Sequence, residues 1–369
     1  MWRWVFKSLL IESKSLFASI AAAAGAFLLV IFFNAVYSGE AEQVVAYVEN
    51  ADADVWVMQK GVSNMHMATS YLADSRVAEV RAVRGVAEVD AILYLNTVVE
   101  SGRQQWFSYV VGLDAPAPKA GPWAMAEGRA QPGPGEVVVP AVFARMSTLG
   151  LGDTLRITNR DFTVVGLSKG SFSMANSLIF MSKNDLEDLM GSLDIVSYIL
   201  VKSEPGVDPS ALAAAIEREV GKVHALPADQ FILNDRRMAM QMGVETIALM
   251  TVIGAVLAVL LVGFTIWSQI TRQRRDLAVA KALGVTNRSL YLAVAVQAAG
   301  VSLASVVVAI GMALLLIPLA GALIPQVSLL LTVTAVLRIA IVGILVALFA
   351  SLICARQVAR VDPVSVFQS

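Results

Sequence analysis

Apolar residues are concentrated in four long runs, separated by polar stretches of very different length. The runs cover Ile20–Val36, Thr246–Trp267, Leu290–Leu319 and Leu329–Ile353. A helix of about 20 apolar residues crosses the ~30 Å hydrocarbon layer of a membrane. Four runs of this length cannot all be interior helices in a chain of 369 residues. The pattern therefore predicts a membrane α-helical fold with four transmembrane helices.

The long stretch between the first two runs has the pattern of alternating strands and helices. Asp54–Met58 is typical of a strand, and a hairpin is predicted around Ser101 and Gly102. Asp208 and Gly221 bound a predicted helix, as an N-cap and a closing glycine. We therefore expect a large α+β extracytoplasmic domain between helices 1 and 2.

These patterns divide the chain into segments with distinct roles. Residues 229–243 are polar but helical in composition and meet the second run without a breaker, so helix 2 is expected to extend outward as a stalk. Helix 1 is predicted to be an uncleaved anchor, because residues 35–39 form a poor cleavage site for a signal peptide. The predicted segments are 1–39 (cytoplasmic N-terminal segment and helix 1), 40–243 (extracytoplasmic domain with stalk), 244–268 (helix 2), 269–289 (cytoplasmic segment), 290–320 (helix 3), 321–328 (short outer loop), 329–354 (helix 4) and 355–369 (cytoplasmic tail).

The distribution of basic residues predicts the orientation of these helices. Cytoplasmic segments of membrane proteins are rich in lysine and arginine. The connection 320–328 has no basic residue, whereas three other segments have several, namely Arg3, Lys7 and Lys14, then Arg272, Arg274, Arg275, Lys281 and Arg288, and finally Arg356 and Arg360. Both termini and the segment 269–289 are therefore predicted to be cytoplasmic.

Charge is divided between the membrane and the outer parts of the chain. The whole chain is 57% hydrophobic and 15% charged, with a net charge of −1. Residues 40–245 contain 17 Lys and Arg and 26 Asp and Glu, a net of −9, and the remainder carries +8. The membrane topology accounts for the basic excess, so no nucleic-acid partner is expected.

The sequence motifs of common enzyme sites are absent. The chain has no G-x-x-x-x-G-K-[ST], H-E-x-x-H or C-x-x-C motif. It has one cysteine, Cys354, and two histidines, His66 and His224. We therefore predict a protein that is not an enzyme, with no ATPase site, catalytic residue or metal site of its own.

Two short methionine-containing segments are candidates for contact with a hydrophobic cargo. Met65, His66 and Met67 place two thioethers beside an imidazole, a soft ligand set of the kind that binds copper(I) or haem. The more ordinary interpretation is an exposed loop or helix start. Phe172 and Met174 lie in a second loop that could join such an apolar surface.

Arg338 lies within the fourth apolar run, where an unpaired arginine is costly. The favoured interpretation is that Leu329–Val336 is interfacial, or that the side chain of Arg338 reaches outward from the outer half of the membrane. The alternative is a functional pairing, for example near Glu245.

Three motifs resemble one family of membrane proteins. Residues 274–284 (RRDLAVAKALG) are similar to the coupling segment R-R-E-I-x-x-x-[RK]-A-[LIM]-G of the MacB/FtsX/LolC-type permeases of ABC systems. The tail 355–364 resembles the ending A-x-x-[AV]-[AR]-x-x-[DE]-P, and residues 150–154 with 162–166 are similar to the outer-domain patterns G-x-x-x-G-D and [FY]-x-V-x-G. Asp54–Met58 and Lys281–Gly284 resemble the DevC and HrtB branches in particular. Asp276 and Leu277 stand where the family usually has Glu and Ile.

The resemblance implies the permease subunit of an ABC exporter in a bacterial inner membrane. It implies a separate cytoplasmic ATPase that binds ATP and Mg, a second permease copy in a homodimer, contact with membrane lipids, and a periplasmic adaptor in some systems. The cargo would be hydrophobic or amphipathic, such as a lipid, lipoprotein, glycolipid, drug or haem. The residues expected to contact the ATPase are Arg274, Arg275, Asp276, Leu277, Ala280, Lys281, Leu283 and Gly284.

Two other functions remain open from the sequence. An FtsX-like signal transmitter would share the fold and regulate an outer enzyme instead of moving a cargo. A membrane sensor that needs no ATPase would share only the topology. Co-purification with a P-loop ATPase would separate the sensor from the first two, and a vesicle transport assay would separate export from signalling.

Overall fold

A computed structural model describes most of the chain. The described residues are 13–66, 68–114, 120–173, 177–191, 194–239, 245–272, 278–279, 281–282 and 284–359. The chain forms two compact units. One contains residues 1–38, 246–323 and 329–369, and the other contains 39–245 and 324–328. We call the first the membrane unit and the second the outer unit.

Long apolar helices make up the membrane unit. In chain order, the helices that lie wholly or partly in it are α1 (Ser13–Gln43), α8 (Glu245–Arg272), α9 (Asn287–Leu323) and α10 (Val333–Ala359). Three helical stretches are long and apolar enough to cross a membrane, namely Leu16–Gln43, Ala248–Thr265 and Asn287–Leu323. Within the described residues, the fourth run gives only a shorter apolar stretch, Val333–Leu345. The predicted number of four transmembrane helices is therefore not confirmed.

Small residues allow the helices of the membrane unit to pack closely. The core contains Ala23, Ala24 and Phe27 of α1 together with Ala309 and Ala313 of α9, all at most 4% exposed. Small side chains let helix backbones approach each other in a membrane.

The outer unit is built on one large mixed sheet, as the alternating pattern of strands and helices predicted. The strands of this unit are β1 (Val55–Gln59), β2 (Leu72–Ala73), β3 (Val86–Ser101), β4 (Gln104–Leu113), β5 (Met125–Gly128), β6 (Glu136–Pro140), β7 (Thr154–Ile157), β8 (Arg160–Ser168), β9 (Leu178–Ser182), β10 (Ile195–Val196), β11 (Tyr198–Ser203) and β12 (Val223–Pro227). Strands β2 and β10 pair with each other in a separate two-stranded sheet, and the other ten form the large sheet. The sheet order is β12-β1-β11-β3-β4-β9-β6-β8-β5, with β7 paired to β3 and β8. Among the described strands, β4–β9 and β6–β8 are the parallel pairs.

Helices cover both faces of this sheet. They are α2 (Ala46–Asn50), α3 (Ser75–Arg81), α4 (Ala141–Ser147), α5 (Lys183–Met190), α6 (Pro209–Val220) and α7 (Ala228–Ala239). Helices α2 and α7 pack on one face with Trp56 and Tyr94 of the sheet. Helices α3, α4, α5 and α6 pack on the other. Because side chains alternate along a strand, each central strand contributes to both cores.

Local sequence signals account for several of these boundaries. Asp208 accepts a hydrogen bond from the Ala211 amide at 2.9 Å, so the predicted N-cap of α6 is confirmed. The predicted strand at Asp54–Met58 is β1, and the predicted hairpin is β3–β4. Strand β12 lies at the sheet edge, where the Glu217 carboxylate accepts from the Ala225 amide at 3.0 Å. This bond satisfies an amide that would otherwise face solvent.

Candidate functional site

Only part of the predicted coupling segment lies within the described residues. Lys281 and Gly284 are described, whereas the other predicted ATPase contacts lie outside the described residues, namely Arg274, Arg275, Asp276, Leu277, Ala280 and Leu283. The φ of Gly284 is +86°, a conformation that favours glycine, and its amide donates to the Lys281 carbonyl at 3.1 Å. The Thr286 hydroxyl then accepts from the Ser289 amide at 3.4 Å as α9 begins. A turn at Gly284 thus precedes α9, and Thr286 caps the start of that helix.

The chain enters the outer unit from α1 and reaches the end of its main stretch through α7, and these two segments meet at the β12 edge of the sheet. Helix α1 leads through α2 into β1, and β12 leads into α7. Strands β1 and β12 are antiparallel neighbours, with Val55 opposite Pro227. The Ala228 amide, at the start of α7, donates to the Asp54 carbonyl at 2.9 Å. We call this region, formed by residues 40–58 and 223–239, the stalk junction.

Asp54 connects the stalk junction to the sheet through its side chain. Its carboxylate accepts from the amide and the hydroxyl of Ser203 at 2.9 and 2.7 Å, and lies 3.1 Å from the Lys202 ammonium. Burial by itself raises the pKa of Asp54, but the bonds from Ser203 and the Lys202 charge outweigh it and leave the pKa below 3.8.

Helices α2 and α7 are held together by an ionic and an apolar contact. The Arg236 guanidinium lies 3.1 Å from the Glu49 carboxylate and 3.6 Å from that of Glu42. Val44 and Val45, which link α1 to α2, pack against Ile232. The pKa of Glu49 is raised, first by partial burial and then by the charge of Glu42, while Arg236 lowers it.

A buried histidine and aspartate join α7 to the segment that follows β1. Asp235 is fully buried, and its Oδ1 atom lies 2.8 Å from His66 Nδ1. The same oxygen accepts from the amides of Met65 and His66 at 2.9 and 3.2 Å. A buried carboxylate is stable only when such donors replace its water. Asp235 therefore fixes the position of this segment on α7.

Tyrosine rings enclose this buried pair. The Tyr109 ring lies edge-on to His66, with centroids 5.6 Å apart, and the Tyr198 hydroxyl donates to the carbonyls of Asn64 and Ala68 at 3.3 Å. Burial, and then the Asp235 charge, raise the pKa of Tyr109 to about 12. Among the described residues, Asp235 Oδ2 and the Tyr94 hydroxyl have no hydrogen-bond partner. Buried polar atoms of this kind commonly bind internal water.

Of the predicted cargo-contact residues, the described ones lie in cores on opposite faces of the sheet. Met65 and His66 are 3% and 5% exposed, so their segment is not the exposed loop that the sequence suggested. Phe172 is half-buried and packs in the core on the opposite face of the sheet. Met67 and Met174 lie outside the described residues. Cargo contact by these residues stays a prediction.

Sequence reasoning missed Asp235 and Asp54. A signal for Asp235 was present, because Phe231 lies four residues before it on the same face of α7 and is fully buried. An acid at that spacing must point inward. No comparable signal exists for Asp54, since its partner Ser203 is 149 residues away in the sequence.

Comparison with known proteins gave matches over almost the whole chain. The family model of the MacB-like periplasmic core domain matches residues 16–219, and that of the FtsX-like permease C-terminal domain matches residues 248–363. An uncharacterized ABC transporter permease of Mycobacterium tuberculosis is 28% identical over 329 residues, covering 87% of this chain and 86% of the relative. One of Mycobacterium bovis is 23% identical over 358 residues, covering 96% of each chain.

Two solved structures are similar to about half of the chain. The extracellular domain of the noncanonic ABC-type transporter YknZ from Gram-positive bacteria has a TM-score of 0.38 and 13% identity, covering 47% of this chain and 98% of that one. The periplasmic region of MacB from Actinobacillus actinomycetemcomitans has a TM-score of 0.39 and 11% identity, covering 52% of this chain and 96% of that one.

Proposed function

The chain belongs to the MacB/FtsX-type permeases of ABC transporters, and we propose that it is the membrane subunit of an exporter driven by a separate cytoplasmic ATPase. The ATPase would bind ATP and Mg. The cargo would be a hydrophobic or amphipathic molecule. The working form would be a homodimer in a bacterial inner membrane with both termini in the cytoplasm, and an outer adaptor would be an additional partner.

The stalk junction is the observation that best supports a mechanical role. Helix α1 runs without interruption from Ser13 to Gln43, so a displacement along its axis reaches the outer unit. There, the Ala228 amide donates a hydrogen bond to the Asp54 carbonyl, and the Arg236 guanidinium forms an ion pair with the Glu49 carboxylate. The segment from α1 to β1 and the segment from β12 through α7 are therefore held at the same edge of the sheet. A shift of the membrane helices would move that edge as one body, as in hinge and shear transitions.

The segment around Gly284 would receive the force on the cytoplasmic side. In the proposed mechanism, ATP closes the ATPase pair, and the helix before Gly284 transmits that movement toward α8 and α9. The turn at Gly284 is defined by its positive φ and by the Thr286 cap. A fixed turn is suited to this role because it transmits a displacement without bending.

Charge reversal tests whether the segment contacts an ATPase. We expect Arg274→Glu combined with Arg275→Glu to weaken co-purification of the ATPase about tenfold or more, because charges at an interface that lose their partner cost several kcal/mol. Arg288→Glu is the matched control, since it removes a basic residue of the same cytoplasmic segment at the exposed start of α9. Equal co-purification of both variants with the ATPase would contradict the proposal. A transport assay in vesicles then distinguishes export from FtsX-like signalling.

A further inference from the structure

Arg338 is a charged residue on an apolar surface of the membrane unit. It lies in the second turn of α10, which begins at Val333. The residue is exposed, and among the side chains that the structure describes it has no ion-pair or hydrogen-bond partner, while the side chain of Glu245, the alternative partner, lies outside them. Its neighbours on α10 are also exposed, Leu337 to 56%, Ile341 to 57% and Leu345 to 60%. Such a stripe of large apolar side chains faces lipid or another copy of the chain.

The length of α10 places Arg338 near one surface of the membrane. The helix has 27 residues, which span about 40 Å, whereas the hydrocarbon layer is about 30 Å thick. Residues 339–355 are uncharged, and residue 356 is again an arginine. The two positions are 18 residues apart, which corresponds to about 27 Å and five helical turns. The uncharged stretch thus matches the hydrocarbon thickness, and Arg338 lies at its N-terminal limit.

We infer that Arg338 is a binding site for the phosphate of a membrane lipid head group, on the side where α10 follows residues 324–328. A guanidinium group binds phosphate oxygens through two parallel hydrogen bonds, which an ammonium group cannot do. At this depth the side chain extends along the helix to the phosphates while its methylene groups stay among the acyl chains. The site does not depend on the identity of the cargo or on the ATPase.

A thiol-labelling series tests the depth of residue 338. The background variant is Cys354→Ser, which removes the one native cysteine. A membrane-impermeant maleimide added from the outer side of sealed vesicles is expected to label Val333→Cys and Arg338→Cys, but not Leu345→Cys. Val333 is 75% exposed and precedes Arg338, and Leu345 is 60% exposed and lies two turns deeper. If Arg338→Cys were as poorly labelled by the maleimide as Leu345→Cys, the inference would be overturned.

Native mass spectrometry of the full chain in detergent tests lipid binding directly. With phosphatidylglycerol as the probe, we expect Arg338→Gln to weaken the tightest lipid adduct about tenfold, as for the loss of one charge-assisted hydrogen bond, and Arg338→Lys to weaken it less. Arg84→Gln removes the same charge from an exposed position of the outer unit and is expected to leave lipid binding unchanged.

Competing ligands give distinct results in the same experiment. Inorganic phosphate is not expected to displace the lipid, because the acyl chains contribute to binding. Displacement by inorganic phosphate would overturn the assignment to a lipid. Unchanged lipid binding by Arg338→Gln, together with dissociation of a dimer, would also overturn it and would indicate that Arg338 pairs with a second copy.

Discussion

At the scale of single residues, the outer unit depends on polar groups that are far apart in the sequence. Asp235 and His66 are 169 residues apart, yet they form a buried pair in the core beneath α7. If the Asp235 carboxylate is removed, each donor that loses it as an acceptor stays buried and unsatisfied, which costs about 1–3 kcal/mol for each donor. The stability of the stalk junction therefore depends strongly on this pair.

We expect Asp235→Ala to destabilise the protein by about 3–5 kcal/mol, since three donors lose their acceptor. Asp229→Asn is the control, because Asp229 is an exposed residue in the first turn of the same helix. Thermal unfolding of the full chain in detergent measures the difference. Equal unfolding temperatures for the two variants would show that the pair is not structural.

The pKa of Asp54 leads to a prediction about acid stability. Because the folded state holds this pKa below 3.8, ionised Asp54 stabilises the fold above that pH, and this stabilisation is lost as the pH falls through the lower, folded pKa. Ser203→Ala removes the hydroxyl hydrogen bond to Asp54, which is one of the interactions that lower the pKa of Asp54. We expect Ser203→Ala to be less stable than the wild type near neutral pH. The difference between their free energies of unfolding is expected to shrink below about pH 4. Unfolding temperatures between pH 7 and pH 3 test this, and a constant difference would contradict it.

At the scale of elements, the membrane unit contains one glycine with a specific packing role. A Cβ atom on Gly343 of α10 would lie 2.6 Å from the ring of Phe27, which belongs to α1 and is 4% exposed. The Gly343 carbonyl also accepts from the Ser302 hydroxyl of α9 at 3.2 Å. Three helices therefore approach closely at this position.

Gly343→Ala is expected to destabilise the membrane unit by about 1–3 kcal/mol, as is typical of overpacking. Gly311→Ala in α9 is the matched control, because a Cβ there meets no atom within 4 Å. Because alanine favours a helix more than glycine does, Gly311→Ala is expected to leave the free energy of unfolding unchanged or to raise it by up to about 1 kcal/mol. Thermal unfolding in detergent measures both variants, and a stabilising effect of Gly343→Ala would contradict the proposed packing.

Elements that depend on local signals could be predicted, and those that depend on distant partners could not. The N-cap at Asp208 and the hairpin at Ser101 and Gly102 are properties of adjacent residues, so both could be predicted from the sequence. The burial of the segment at Met65 and His66 could not be predicted from adjacent residues, because the acid that holds it lies on α7. The stalk predicted over residues 229–243 is, as far as Ala239, the helix that carries this acid.

At the scale of the whole molecule, residues 324–328 are part of the outer unit although they connect two membrane helices. The Glu40 carboxylate, 2% exposed, accepts from the Ser328 amide at 2.7 Å. The outer unit thus contains a third connection to the membrane helices, besides the two at the stalk junction.

Glu40→Ala is expected to accelerate amide hydrogen exchange at Ser328 about tenfold or more, since the amide loses a charge-assisted bond. Glu40→Gln keeps an acceptor at the same position and should show a smaller increase. Hydrogen exchange followed by mass spectrometry tests the prediction. Exchange at the wild-type rate in both variants would exclude a role for Glu40 in holding this loop.

The antiparallel pairing of β1 and β12 determines how the outer unit responds to tension. Asp54 and Ala228 lie at the same end of the pair, so pulling α1 and α7 apart would break the hydrogen bonds between the two strands one at a time. Proteins yield to such peeling at lower force than to sliding, in which all bonds are strained together. The contacts of Arg236 with Glu42 and Glu49 oppose this separation. Under the proposed mechanism, the outer unit would bear load when α1 and α7 move in the same direction, and it would begin to unfold at β12 if they moved apart.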